Sequence, residues 1–196
     1  TAAASQAVYG PMVVAAQAAG NTAGQTYFAA NAPGAVTAMG VAATELSNLV
    51  KNQILAKGAK YVTVVNLPDL ASTPYALEQT ADVRALIDTM VKTFNSTLAT
   101  GLGTDARLLV VDAYTVNRDQ VTNPGPYGLS NVKDRACDTK NAAKNPLGSS
   151  LGCTPANTIA GDVSTYLFAD DVHPTPFGYK LLARYVAENM VVKGWL

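Results

Sequence analysis

The chain has 196 residues, 14 basic and 14 acidic side chains, no formal net charge and 48% hydrophobic residues. That balance gives no general attraction for nucleic acid or an anionic membrane, and a high apolar fraction with clear periodicity excludes a disordered chain. Charged residues make up only 14% of the sequence, against about a quarter in average soluble domains. The length suits one domain or a large part of one. His173 is the single histidine, so chemistry that needs an imidazole at neutral pH must use it.

From Thr1 to Val50 the only charged side chain is Glu45, and the first basic residue is Lys51. No Lys or Arg precedes Val13-Val14-Ala15, so the pattern of a signal peptide is not met. No apolar run approaches the roughly 20 residues that cross a bilayer. The expectation is a soluble chain that begins at a processed or cleaved end.

Residues 1–33 are rich in Ala, Gly and Asn and read as a loop-rich start with at most a short helix around Val13–Ala19. From Ala35 the pattern turns helical, with Val36, Met39, Ala43, Leu46, Leu49, Val50 and Ile54 on one face. Lys57, Gly58 and Lys60 suit its C-terminal end. Tyr61-Val62-Thr63-Val64-Val65-Asn66-Leu67 is a β-branched run ending at Pro68, as in a parallel strand buried on both faces. A second helix has Val83, Leu86, Ile87, Met90, Val91, Phe94 and Leu98 on its apolar face and Gly101 past its end. Arg107 to Asp112 reads as a second buried strand. Residues 115–165 read as a long irregular excursion, a length typical of lids and binding loops. A last helix starts at Thr175, with Pro176 at its first turn, and buries Leu181, Leu182, Tyr185, Val186 and Met190.

This order gives an α/β class with parallel crossovers, but only two strands, both reading as central. Central strands need neighbours on both edges. Either the first 33 residues hide strands or another polypeptide completes the sheet.

Cys137 and Cys153 flank a segment rich in Pro, Gly and Ser. Zinc wants four ligands, which one distant histidine cannot complete, and the spacing is not Cys-x-x-Cys. A disulfide clipping the long loop fits best. It would stabilise by about 3 kcal/mol and imply an oxidising compartment; two buried free thiols are the alternative.

The sharpest local feature is Phe168-Ala169-Asp170-Asp171-Val172-His173-Pro174-Thr175. Asp170 stands three residues before His173, close enough to accept from Nδ1–H and leave Nε2 free as a general base. A helix-start histidine beside capping acids is the plainer alternative. Asp112 reads as a cap or loop anchor. Asp69, Asp112, Asp170 and Asp171 lack calcium-loop spacing, so no metal and no cofactor is expected. Tyr127 and Tyr166 either line a cleft or pack the long loop down.

Asp170-x-x-His173-Pro174-Thr175 followed by Gly178-Tyr179 resembles the last sequence block of the GDSL (SGNH) serine esterase/lipase family. Val64-Val65-Asn66-Leu67-Pro68 with Thr73-Pro74, and Val111-Asp112-Ala113-Tyr114, resemble two of its strand–loop segments, in the same order. The resemblance runs from about Ala35 to Leu196 and is similar to secreted bacterial members with a Cys pair in the loop. It implies a three-layer α/β/α parallel sheet, a secreted or periplasmic setting, and an acyl-enzyme hydrolysis of small ester or lipid substrates. It also implies that Asp170 and His173 form a catalytic dyad.

The family's Gly-Asp-Ser-Leu and Gly-x-Asn-Asp blocks, which hold the nucleophile and oxyanion donors, do not occur in this sequence. Residues 1–196 therefore read as the C-terminal part of one SGNH-like domain, with about two strands and three large helices. The expected partner is the N-terminal portion of the same enzyme, carried as a separate, cleaved or co-expressed chain. Two other readings stand beside this one. The first is a non-catalytic truncated scaffold or binding module. The second is a self-contained hydrolase using Ser150 of Gly148-Ser149-Ser150-Leu151-Gly152, although a nucleophile elbow needs a strand before it and a helix after it, and neither pattern is there.

Overall fold

The computed structural model of the chain describes residues 2–196, with side chains described from residue 10 onward. The elements in order are α1 (Ala2–Leu49), β1 (Val62–Val65), α2 (Pro74–Leu77), α3 (Ala81–Leu102), β2 (Leu108–Val111), α4 (Ala113–Thr122), β3 (Asn131–Arg135), β4 (Tyr166–Phe168) and α5 (Pro176–Val192). The chain divides into two compact units, one up to Ala38 and one over Met39–Leu196.

The first unit is helical, which corrects both the loop-rich start over residues 1–33 and the helix beginning near Ala35. Alanine is the strongest helix former, and Thr22, Thr26 and Thr37 return their hydroxyls to carbonyls four residues earlier. Met12, Val13, Val14 and Tyr27 are exposed. Among the described side chains the helix has no buried stripe here, and apolar periodicity is the signal by which a sequence announces a helix. Pro11 and Pro33 lie inside it, each lacking the N–H that the helical ladder wants.

In the second unit, α1 buries Ala43 and Ser47, and Val50 just past its end is buried too. A π turn over Val50–Ile54 and a 3-10 turn over Leu55–Lys57 follow. The wider turn carries one extra residue, which brings Leu55 inward and leaves Ile54 and Leu49 exposed. The stripe expected through Leu49 and Ile54 is therefore broken.

β1 and β2 pair in parallel, Val62 opposite Leu108 and Val65 opposite Val111. Val62, Val64 and Leu108 join Ala43, Val50, Leu55, Leu98 and Leu102 in one core cluster. The expectation of strands buried on both faces is corrected: Val65 is 39% and Val110 37% exposed. Among the described residues each of these strands has a single hydrogen-bonded neighbour.

α3 buries Val91, Leu98 and Leu102 and half-buries the rest of its expected face. Gly101 does not end it. A Cβ there would stand 2.4 Å from Ser47 Oγ, so the glycine permits close passage of α1, and Gly103 (φ 64°) terminates the helix.

The segment 115–165 is more ordered than an irregular excursion. It holds most of α4, then β3, which pairs in parallel with β4, Asn131 opposite Tyr166. Among the described residues there are thus four strands in two small parallel sheets, not two strands. β3, Asn-Val-Lys-Asp-Arg, buries only Val132, and β4 is three residues long; neither presents a readable alternation. A second core cluster of Leu129, Val132, Leu167 and Phe168 packs here against Tyr127, Phe177 and Leu181. Cys137 and Cys153 are joined as a disulfide, Cα–Cα 5.8 Å, so the alternative of free thiols is set aside.

Candidate active site

Asp170 and His173 sit in the turn between β4 and α5. The turn closes on itself: the Ala169 N–H donates to the His173 carbonyl at 2.8 Å, and the Thr175 N–H to the Leu167 carbonyl at 2.9 Å. α5 then starts as its sequence dictates. Thr175 Oγ1 accepts from the Gly178 N–H at 3.1 Å and donates to the Tyr166 carbonyl at 2.5 Å, and Pro176 takes the first helical position. Gly178 lets this first turn press onto β4, since a Cβ would lie 2.8 Å from the Leu167 carbonyl oxygen. The expected apolar face of α5 is half-buried throughout.

The two side chains differ sharply in exposure. Asp170 is 3% exposed, whereas the His173 side chain is 53% exposed. His173 Nδ1 lies 3.0 Å from Asp170 Oδ1 and 2.9 Å from Oδ2. Three backbone N–H groups also donate to the carboxylate: Val172 at 3.0 Å and His173 at 2.8 Å to Oδ1, and Ser150 at 2.7 Å to Oδ2. Burial alone would push this carboxyl up. The His173, Val172 and Ser150 amides outweigh it and hold Asp170 well below the usual carboxylate range. An ionised Asp170 can only accept, so Nδ1 must carry the ring proton and Nε2 presents its lone pair. No described residue engages Nε2.

Side chains distant in sequence anchor the turn. Arg135, on β3, pairs with Asp171 and, at 2.9 Å, with Glu78. Lys140 reaches the same Glu78 at 3.0 Å. Hydrogen bonds from Arg135 and Lys140 draw Glu78 down to about 2. The Tyr75 N–H of α2 donates to the Asp171 carbonyl at 3.0 Å. Nothing local to Asp171 announces Arg135, and charge sign alone would have been the only signal.

The other candidates take structural places. Ser150 begins a 3-10 turn over Ser150–Gly152, after an extended Ser149, so the strand and helix of a nucleophile elbow are not there. Its amide serves Asp170 instead. Asp112 caps α4 through the Thr115 N–H at 3.1 Å and accepts from Asn66 Nδ2 at 2.9 Å. Tyr127 bonds Asp119, which pushes its hydroxyl up to about 12, and packs on the second core cluster. A cleft of about 660 Å³ lies against the disulfide, Ser150, Thr175, Phe177 and Tyr179; neither Tyr127 nor Tyr166 lines it. Among the described residues no group of three or more His, Cys, Asp or Glu could hold a metal ion. No helix among them is long and apolar enough to cross a membrane.

A mixed α/β chain thus holds its lone imidazole on a buried carboxylate at a strand-to-helix turn. The chain belongs to the GDSL-like lipase/acylhydrolase family, whose sequence model matches residues 9–186. It is 31% identical over 85 residues to a GDSL esterase/lipase of Arabidopsis thaliana, covering 43% of this chain and 22% of that protein. A second Arabidopsis thaliana GDSL esterase/lipase is 29% identical over 144 residues, 69% of this chain and 37% of the relative. Esterase EstA of Pseudomonas aeruginosa is 30% identical over 131 residues, 65% of this chain and 19% of its own length. The chain thus spans 22%, 37% and 19% of the lengths of these three relatives.

Proposed function

We propose that the chain supplies the acid–base pair of a serine ester hydrolase, with His173 as general base and Asp170 as its orienting carboxylate. The observation that carries this is the Nδ1–Oδ2 contact of 2.9 Å onto a buried carboxylate, with Nε2 left to the outside. The serine and oxyanion donors lie in a portion outside these 196 residues, because no Gly-Asp-Ser-Leu or Gly-x-Asn-Asp block occurs in them. The half-exposed apolar Val65 and Val110 and the single pairing of β1 and β2 support a sheet that this portion extends into a three-layer α/β/α domain.

In this mechanism Nε2 takes the serine hydroxyl proton as the oxygen attacks an ester carbonyl. Asp170 stays ionised and stabilises the imidazolium that forms. His173 then gives the proton to the leaving alcohol, and a water activated by the same nitrogen deacylates the enzyme. The substrate class is a small ester or lipid, as the relatives' names suggest. The disulfide and the bacterial esterase relative support a secreted or periplasmic setting.

Intact mass spectrometry of the purified protein, followed by fluorophosphonate labelling, tests this. The expected result is a label on a serine outside residues 1–196, and loss of labelling in His173→Ala. Labelling of this chain at Ser150, or full esterase activity in His173→Ala, overturns it.

A further inference from the structure

The loop closed by Cys137 and Cys153 ends against Asp170, and ester hydrolysis assigns it no part. Its Ser150 N–H reaches Oδ2 at 2.7 Å. The other two backbone donors, Val172 and His173, both bind Oδ1 and come from the same turn as the carboxylate. Two donors on Oδ1 fix one oxygen. Nδ1 of His173 reaches both oxygens, Oδ1 at 3.0 Å and Oδ2 at 2.9 Å, and the Ser150 N–H on Oδ2 comes from outside the turn.

The loop is braced to present that amide. Asn145 is 1% exposed; its Nδ2 donates to the Ser149 carbonyl at 2.9 Å and its Oδ1 accepts the Ser149 N–H at 3.4 Å. Asn157 is 6% exposed and donates to the Lys144 carbonyl at 3.0 Å and the Gly152 carbonyl at 2.6 Å. Buried amides are tolerated when bonded in this way, and both brace the residues flanking Ser150. The disulfide ties the loop's end to Cys137, which is 3% exposed.

We infer that the Ser150 amide is a positioning group: the braced loop holds Oδ2 of the Asp170 carboxylate against Nδ1 and so favours the Nδ1–H tautomer of His173. This rests on the Asp170–His173 pair of the proposed function, and it gives the disulfide loop a role in the acid–base chemistry.

Long-range 1H–15N NMR of the full chain tests it without turnover, because a single histidine gives a single imidazole pattern. Ser150→Pro removes this N–H at a place that suits proline. Ser149 is extended (φ −140°, ψ 158°) and Ser150 opens a 3-10 turn. At a pH where the ring is neutral, the wild-type ring carries its proton on Nδ1. In Ser150→Pro the Nε2–H tautomer rises about tenfold, the equilibrium equivalent of one hydrogen bond to a charged group. Ser150→Ala keeps the amide and keeps the wild-type pattern. Asn145→Ala loosens the brace and moves the tautomer the same way as Ser150→Pro, by less. Near-UV circular dichroism shows which variants are folded. A folded Ser150→Pro with the wild-type tautomer overturns the inference. So does a shift as large in Ser150→Ala, or, if Ser150→Pro does not fold, an unmoved tautomer in Asn145→Ala. Asp170→Asn separates the two levels: if it too leaves the tautomer unchanged, the Asp170–His173 pairing itself is wrong.

Discussion

Replacing Asp170 by asparagine perturbs the site by one atom, and the structure fixes which consequences follow. The carboxylate accepts from Ser150, Val172 and His173 amides and from Nδ1. An asparagine oxygen placed at Oδ1 keeps the Val172 and His173 amides. Its NH2 then stands at Oδ2, 2.7 Å from the Ser150 nitrogen and 2.9 Å from Nδ1. Two N–H donors face each other at Ser150, so one charge-assisted hydrogen bond is lost and a buried N–H is stranded. That costs roughly 2–4 kcal/mol of stability. At the imidazole the NH2 donates to Nδ1, which drives the proton to Nε2 and removes the proposed general base. The wrong tautomer slows serine acylation roughly 10⁴-fold. Urea unfolding measures the first effect, long-range 1H–15N NMR of His173 the second, and fluorophosphonate labelling in the presence of the serine-bearing portion proposed above the third. An Asp170→Asn protein that keeps the Nδ1–H tautomer and unfolds within about 0.5 kcal/mol of wild type refutes the reasoning.

Stability should also fall at acid pH, with a definite sign. Asp170 is held below the usual carboxylate range, so its contribution is complete above about pH 4 and is lost as pH falls through the folded-state value; urea midpoints should drop below pH 4 in wild type and drop less in Asp170→Asn. Arg135→Met should cost about 1–2 kcal/mol in urea unfolding, because Arg135 is largely buried while Glu78 and Asp171 remain half-exposed to water. Gly178→Ala should cost about 1–3 kcal/mol, since the new methyl would meet the Leu167 carbonyl at 2.8 Å and Pro174 Cβ at 2.9 Å. A thermal scan showing Gly178→Ala as stable as wild type would mean that α5 is free to shift off β4.

What the sequence made legible was local. Asp170 and His173 are three residues apart, and Thr175, Pro176 and Gly178 form their cap within four positions, so their contacts follow from spacing alone. Arg135 and Ser150 reach the same turn from 36 and 20 residues away, and neither carries a pattern that names its target. The same distinction governs the fold. α3 shows its stripe because Val91 and Leu98 are buried. The first unit's helix does not, because alanine propensity holds it without burying a face, and β3 hides because only Val132 of its five residues points into a core.

Three elements converge on the Asp170–Asp171 turn, and among the described residues none reaches Nε2 of His173. α2 holds the Asp171 carbonyl through Tyr75, β3 holds the Asp171 carboxylate through Arg135, and the disulfide loop holds Asp170 through Ser150. Each restrains the turn behind the imidazole, while Nε2 faces away, with the ring half in solvent. A turn evolved only to cap α5 would need Thr175 and Pro176 but not a buried carboxylate with three amide donors, because desolvating a charge is costly and capping does not require it. The arrangement makes sense if the orientation of Nδ1–H matters and a hydroxyl approaches Nε2 from outside these 196 residues. It follows that the tautomer of His173 is measurable on this chain alone, whereas acylation must depend on what supplies the serine.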